Sequence, residues 1–273
     1  GSGTTGSSTT VRAIEDLRRD NDIEAVVIRV DSPGGSVTAA DAIWRAVSRL
    51  GEKKPVIVSM GDVAASGGYY VAAPAKKILV SDSTITGSIG VFTGKYDLSG
   101  LYGKIGVNKA PVSRGARANL MTDARPWNED ERAAVQRGIN DMYSVFLERV
   151  LSGRKSLTLD SLKTIAGGRV WTGRQARERG LADESKGFLG AITEAAKAAD
   201  LDPGNIEIEV RPKMERGLNL PSTPFGQLLG RLGVSHQQAV LPPLFAGLSA
   251  LWDSGVLNFA NGTPLAILPW VFH

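Results

Sequence analysis

The fold is decided by the stretch at residues 25–36, which reads AVVIRVDSPGGS. Residues 25–30 are almost uniformly apolar and rich in β-branched side chains, a pattern typical of a strand that is covered on both faces. The prolyl-glycyl-glycine sequence that follows ends the strand in a turn. A strand of this kind favours a parallel sheet within an α/β protein.

Helices and strands alternate on the C-terminal side of this stretch. The predicted elements are a helix at 37–50, a strand at 55–60, a helix at 63–73 and a strand at 77–80. We expect the second strand to break at Gly61, and the helix after it to begin at or just after Ser66. Strands that alternate with helices predict stacked βαβ units with right-handed crossovers.

The rest of the chain divides after residue 203. Before this point, Asn128 and the acidic residues after it predict the start of a long helix, and residues 86–123 are expected to hold only short extended pieces. Beyond it, prolines and scattered apolar side chains follow one alternating strand. We therefore predict a domain at 1–203 and an extended C-terminal extension at 204–273. We expect this extension to dock as an arm on a neighbouring subunit, and a membrane-facing rim is the alternative.

Composition excludes several kinds of chemistry. The chain has no cysteine, and its two histidines, His236 and His273, do not have the spacing of a metal-binding pair. We therefore predict no disulfide, no cysteine nucleophile, no metal site and no cofactor. The formal net charge of +4 is spread along the chain, so we interpret the basic residues as a solvated surface and expect no nucleic-acid partner.

The sequence contains no segment that we interpret as a membrane signal. Residues 1–8, GSGTTGSS, carry neither a charged nor an apolar region, so they are interpreted as neither a signal peptide nor an anchor. No apolar run reaches about eighteen residues, the length that a helix needs to cross a bilayer.

Ser66 is a candidate nucleophile. It lies in the sequence GDVAASGGYY at residues 61–70, where small neighbours leave its hydroxyl accessible. The N-terminus of a helix stabilises negative charge, and the N–H of Gly67 is placed to bind an oxyanion beside Ser66. This stretch alone also fits a serine that caps a helix, or small residues that allow close helix packing.

The paired glycines at 34–35 are a second candidate element of the site. Glycines directly after a buried strand leave backbone N–H groups exposed to a ligand, although a simple turn capped by Ser36 has the same pattern. Because ligands bind outside the carboxyl ends of parallel strands, we expect this turn and Ser66 to meet. One turn then supplies a hydroxyl and the other an oxyanion donor, as acyl transfer requires.

Four motifs in order resemble the signal peptide peptidase A family. They are VIRVDSPGGS at 27–36, GDVAASGGYY at 61–70, ITGSIGV at 85–91, and GRVWTG at 168–173 with GLAD at 180–183. The similarity covers residues 4–199 in register. It implies a ClpP/crotonase-like fold and a serine–lysine protease that acts on membrane-embedded remnant signal peptides. It also implies association with the bacterial inner (cytoplasmic) membrane, on its extracytoplasmic face.

The resemblance assigns roles by position. Ser66 corresponds to the nucleophile, the N–H groups of Gly35 and Gly67 to the oxyanion hole, and Ser88 to a neighbour of the active site. A peptide substrate is expected to lie extended along residues 35–37, within a ring-shaped homo-oligomer.

The family's catalytic lysine is not found at the corresponding position, which holds Ala118. Alanine cannot act as a base, and the neighbouring Arg114 and Arg117 keep their protons. We favour a chain that is the C-terminal half of a tandem member, with the lysine supplied by the N-terminal half or by another subunit. A lysine deliberately replaced by alanine and a naturally inactive member are the alternatives. Nearby lysines, interpreted as surface residues, are Lys95, Lys104 and Lys109.

Two other functions fit parts of the pattern. The same fold includes crotonases, which handle acyl-CoA, but that function would give Ser66 no purpose. A non-catalytic assembly subunit would form the walls of an active partner's site, and Ala118 is its best support.

Overall fold

The computed structural model describes residues 6–211 in full and the backbone of residues 263–271. Its helices are α1 (Ser7–Arg19), α2 (Val37–Gly51), α3 (Gly67–Ala72), α4 (Ser99–Lys104), α5 (Glu129–Gly153), α6 (Leu159–Ile165), α7 (Gly173–Glu178) and α8 (Phe188–Ala198). Its strands are β1 (Ala25–Ser32), β2 (Val56–Ala65), β3 (Lys77–Val80), β4 (Ile85–Gly87), β5 (Val170–Thr172), β6 (Glu184–Ser185), β7 (Ile206–Val210) and β8 (Thr263–Val271).

The strands form one sheet, with β1 and β2 side by side at its centre. The order is β5-β4-β2-β1-β8-β7, and β3 and β6 branch from β2. The early part of β2 pairs with β3 and its last residues pair with β4, so β2 connects two parts of the sheet. Among the described pairs only β4 and β5 are antiparallel. The predicted parallel sheet of βαβ units is confirmed.

Apolar layers cover both faces of β1. Val26 and Ile28 belong to the larger core, which α1, α2, α3 and α5 complete. Ala25 and Val27 face the other way and pack in a smaller core with α8. The strand's continuous apolar run is explained by this arrangement, because successive side chains point to opposite faces and both faces are buried.

Strand β2 continues to Ala65, so the predicted break at Gly61 is wrong. The register between β1 and β2 shifts here, which marks a bulge rather than an end. The Asp31 carboxylate accepts a hydrogen bond from the Val63 N–H at 3.1 Å. A Cβ on Gly61 would lie 2.6 Å from Cγ of Asp31, so glycine admits this side chain into the bulge. The bulge lets β2 extend to the residue before Ser66.

Helix α5 begins where its sequence predicts. The Asn128 side chain accepts from the Glu131 N–H at 2.8 Å, and the Glu131 carboxylate accepts from the Asn128 N–H at 3.0 Å, a complete capping box. Phe146 and Val150, in the second half of the helix, are buried in the larger core. The first turn of the helix is paired with the preceding segment, through Arg117 to Asp130 and Arg125 to Glu131.

Several short elements were not indicated by the sequence, among them α4 and β5. Helix α4 lies within residues 86–123, where only extended pieces were predicted; Gly100 and Gly103 lower its helix propensity. Strand β5 has only three residues, too few for a visible alternation. Its antiparallel pairing with β4 places Trp171 opposite Thr86, beside the site described below.

The C-terminal extension contributes two strands to the described structure. Strand β8 pairs with β1 on one side and with β7 on the other. The domain boundary after residue 203 stays a prediction, and most of the predicted docking arm lies outside the described residues. Within those residues, none of the helices combines the length and the apolar character that spanning a bilayer demands.

Two glycines of α5 provide a test of this packing. A Cβ on Gly153 would lie 1.8 Å from the carbonyl oxygen of Ala73, whereas a Cβ on Gly138 would meet nothing within 4 Å. We expect Gly153→Ala to lower the free energy of unfolding by roughly 1–3 kcal/mol, because the backbone of α3 must move. Gly138→Ala should raise it by about 0.5–1 kcal/mol through helix propensity. Urea unfolding of both variants measures the two effects, and equal shifts would contradict the packing.

Candidate active site

Ser66 lies between β2 and α3 in an unfavourable backbone conformation. Its φ is 52° and its ψ is −117°, a region that residues other than glycine rarely adopt. The Ser66 N–H donates to the carbonyl of Gly87 at 2.9 Å, and its own carbonyl accepts from the Tyr70 N–H at 2.9 Å. The sheet on one side and the helix on the other therefore hold this sharp turn.

The turn after β1 packs directly against Ser66. A Cβ on Gly34 would lie 2.8 Å from both the Gly67 nitrogen and Cβ of Ser66, and Gly34 has a φ of 109°. A Cβ on Gly67 would in turn lie 3.2 Å from the Gly35 nitrogen. The structure thus brings together the three residues that were expected to form the nucleophile and the oxyanion donors.

Ser88 and Ser66 line one cleft, which is described below. Ser88 also has a positive φ, 49°. Its N–H donates to the carbonyl of Arg169 at 2.7 Å, and the N–H of Gly168 donates to the carbonyl of Ile89 at 2.9 Å. These bonds join the third and fourth motifs of the sequence into one wall. Trp171 supports this wall, since a Cβ on Gly87 would lie 2.8 Å from its ring.

These motifs enclose a cleft of about 620 Å³. It is lined by Pro33, Gly35, Ser66, Ser88, Gly90, Val91, Phe92, Ile139, Asn140, Tyr143, Gly167 and Gly168. The lining is largely apolar or made of glycine, so exposed backbone groups are available to a bound chain.

Helix α5 forms a wall of the cleft that the sequence analysis missed. Ile139, Asn140 and Tyr143 face the cleft, and the Tyr143 hydroxyl accepts from the Gly167 N–H at 3.1 Å. The signal in the sequence was only their shared helical face, which core packing would equally produce.

Comparison with known proteins agrees with this geometry. The family model described as "Peptidase family S49" matches residues 48–202, more than half of the chain. The chain belongs to peptidase family S49. The family model described as "Clp protease" matches residues 4–85, which confirms the ClpP-like fold. The resemblance to signal peptide peptidases of type A is thereby confirmed.

Three named proteases are similar to this chain over most of its length. "Serine protease SPPA, chloroplastic" of Arabidopsis thaliana is 39% identical over 82% of the chain and 32% of its own length. "Protease 4" of Salmonella typhi is 38% identical over 75% of the chain and 33% of its own length. "Protease 4" of Haemophilus influenzae is 38% identical over 70% of the chain and 31% of its own length. The chain spans about a third of each of these relatives.

This S49 chain has no lysine or histidine among the described residues that line the cleft. Ala118 lies in an exposed turn and is not part of the lining. Lys95 donates to the carbonyls of Thr122 and Arg125. The hydrogen bond from Lys109 to Asp123 raises the pKa of Lys109, which keeps the ammonium group protonated and unsuited to act as a base.

The contact between Gly34 and Ser66 can be tested with two neighbouring glycines. Gly34→Ala should lower the free energy of unfolding by roughly 1–3 kcal/mol, because the methyl group meets backbone at a positive φ. Gly35→Ala is the matched control: a Cβ there meets nothing within 4 Å, and the N–H is retained. We expect its effect to stay within about 0.5 kcal/mol. Urea denaturation measures both effects. An unchanged free energy of unfolding in Gly34→Ala would contradict the close approach of Gly34 to Ser66.

Proposed function

We propose that this chain is the serine-bearing half of a serine–lysine endopeptidase, with Ser66 as the nucleophile. The observation that carries the proposal is the strained Ser66 turn in the cleft, packed against the Gly34–Gly35 turn. Strain of this kind, at about 1–3 kcal/mol per residue, persists at sites where it serves function.

The arrangement supports acyl transfer. The Ser66 hydroxyl attacks the carbonyl carbon of a peptide bond, and its proton passes to a neutral lysine. The oxygen of the tetrahedral intermediate becomes negative and accepts hydrogen bonds from the N–H groups of Gly67 and Gly35. Gly67 is the first residue of α3, so its N–H has no partner within the helix. Ser88 is a neighbour of this reaction, on the same cleft.

The lysine comes from the N-terminal half of a tandem protein or from another subunit. Two observations support this: the described lining has no candidate base, and the position of the family's lysine holds an exposed alanine, Ala118. The segment at residues 92–121, which contains Ala118, also favours assembly. Phe92, Tyr96 and Val112 are at least 84% exposed in residues 92–121, and exposed apolar groups of this size are typical of an interface between subunits.

The substrate is a peptide that lies extended along residues 35–37, with its scissile carbonyl at Ser66. Gly35 and Ser36 are exposed at this turn, so their backbone groups are accessible to an extended peptide. Membership of family S49 supports remnant signal peptides and other membrane-associated peptides as substrates. With these substrates, the enzyme works as a homo-oligomer or tandem assembly at the extracytoplasmic face of the bacterial inner membrane.

A non-catalytic assembly subunit is the second candidate, and Ala118 is the observation that favours it. Such a subunit would keep the fold and the cleft without turnover. An acyl-CoA enzyme is not favoured, because the chain belongs to a peptidase family.

A serine-directed probe tests the nucleophile. A fluorophosphonate should label Ser66 when the chain is mixed with its lysine-bearing half, and should not label the chain alone. Intact-mass analysis counts the label, and mass analysis of the peptides after proteolysis locates it. Ser66→Ala should abolish labelling and leave assembly intact. Ser36→Ala is the control, since Ser36 caps α2 and does not line the cleft. An unlabelled mixture, with assembly confirmed by its mass in solution, would favour the non-catalytic subunit.

The origin of the base can be tested at position 118. If a lysine had been replaced there, Ala118→Lys would restore probe labelling to the chain by itself. We expect no labelling of the Ala118→Lys chain alone, because residue 118 lies outside the lining of its own cleft. Labelling of this variant at the rate of the mixed halves would overturn the proposal that the lysine comes from another half or subunit.

A further inference from the structure

One carboxylate connects three helices, of which two follow the turns at Gly35 and Ser66 and the third lines the cleft. Asp41 Oδ1 accepts hydrogen bonds from the Tyr70 hydroxyl at 2.9 Å and from Nε of Arg149 at 3.0 Å. Asp41 lies on α2, Tyr70 on α3 and Arg149 on α5. We call these three residues the Asp41 network.

Each member is tied to a part of the site. Helix α2 begins directly after the Gly34–Gly35 turn, and Asp41 lies in its second turn. Tyr70 lies one helical turn after Ser66 and donates its N–H to the Ser66 carbonyl. Arg149 lies on the helix whose Ile139, Asn140 and Tyr143 line the cleft. The network therefore connects the two turns that supply the oxyanion donors with the opposite wall.

Hydrogen bonds and packing fix the positions of Tyr70 and Arg149 in the Asp41 network. Burial and the hydrogen bond to Asp41 raise the pKa of Tyr70 to about 12, so its hydroxyl stays protonated and donates. The Tyr70 ring is 1% exposed and lies 4.5 Å from the ring of Phe146. The Arg149 guanidinium lies 4.3 Å above the Trp44 ring, a cation–π contact that fixes its position. Rotation of Tyr70 and of Arg149 is thus restricted by packing as well as by hydrogen bonds.

We infer that the Asp41 network sets the separation of the Gly35 and Gly67 N–H groups, so that Asp41 and Tyr70 are positioning residues for the reaction at Ser66. The inference rests on the proposed function. Neither residue lines the cleft, so both act through the helices that carry them. Oxyanion donors stabilise a transition state only when they are held at hydrogen-bonding distance from the developing charge, and a misplacement of about 1 Å costs roughly 100-fold in rate.

The alternative is that the network only stabilises the fold. Tyr69 provides the matched comparison, because it is the neighbour of Tyr70 on α3 and is equally buried. Its hydroxyl donates to the carbonyl of Leu181 at 2.8 Å, away from the two turns. Loss of this hydroxyl costs stability and leaves the contact between α2 and α3 in place.

The experiment compares Tyr70→Phe with Tyr69→Phe in the assembled enzyme, with its lysine-bearing half. We expect Tyr70→Phe to lower kcat for a peptide substrate roughly 10- to 100-fold with KM nearly unchanged, because the donors act in the transition state. Tyr69→Phe should lower Tm and leave kcat within about twofold at a temperature well below its melting transition. Arg45→Gln is a second control and should leave kcat within about twofold, since the exposed Arg45 binds Oδ2 of Asp41 and not the Oδ1 that Tyr70 and Arg149 share.

The outcomes separate the two proposals. An inactive wild-type assembly overturns the proposed function, and the inference with it. Active wild type with an unchanged kcat in Tyr70→Phe, or with equal losses of kcat in both tyrosine variants, overturns the inference alone. Amide resonances of Gly35 and Gly67 give a readout that needs no turnover: Tyr70→Phe should shift both, and Tyr69→Phe neither.

Discussion

The structure depends on one backbone contact, the approach of Gly34 to Ser66 and Gly67. Any side chain at Gly34 would collide with main-chain atoms of the facing turn. The bulge at Gly61 makes this approach possible, because it takes up extra residues of β2 and thereby brings Ala64 level with Ser32 at the end of β1. The hydroxyl and the two N–H groups meet here because neighbouring parallel strands end at the same edge of a sheet.

Backbone strain in the cleft is maintained by hydrogen bonds from the surrounding sheet. Ser66 and Ser88 both have positive φ values and both line the cleft. Ser66 donates its N–H to Gly87, and Ser88 donates to Arg169. The third motif (residues 85–91) thus supports the second (residues 61–70), and the fourth motif (residues 168–173) supports the third. A motif distant in sequence from the nucleophile therefore has a direct physical reason to be present.

The sequence predicted those features of the fold that short local residue patterns determine. The run in β1 indicated burial on both faces, and Asn128 marked the start of α5 correctly. The path of β2 through Gly61 was not predictable, because it depends on the carboxylate of Asp31 entering the bulge from another strand. Tyr143 was missed for the same reason: its partner, Gly167, is distant in the sequence, and its helical spacing resembles that of a core residue.

The proposed dyad, in which the serine and the lysine come from different halves or subunits, has a consequence for control of the activity. A neutral serine is a weak nucleophile, so under the proposed function the Ser66 turn hydrolyses nothing until a lysine reaches the cleft. The strained turn and the close glycine contact are formed within this chain, so assembly needs to add only the base. Under the proposed function, hydrolysis is therefore confined to the assembled enzyme. On that proposal, an isolated chain carries a preformed but inactive half-site, and separation of the serine from the lysine prevents peptide cleavage before assembly.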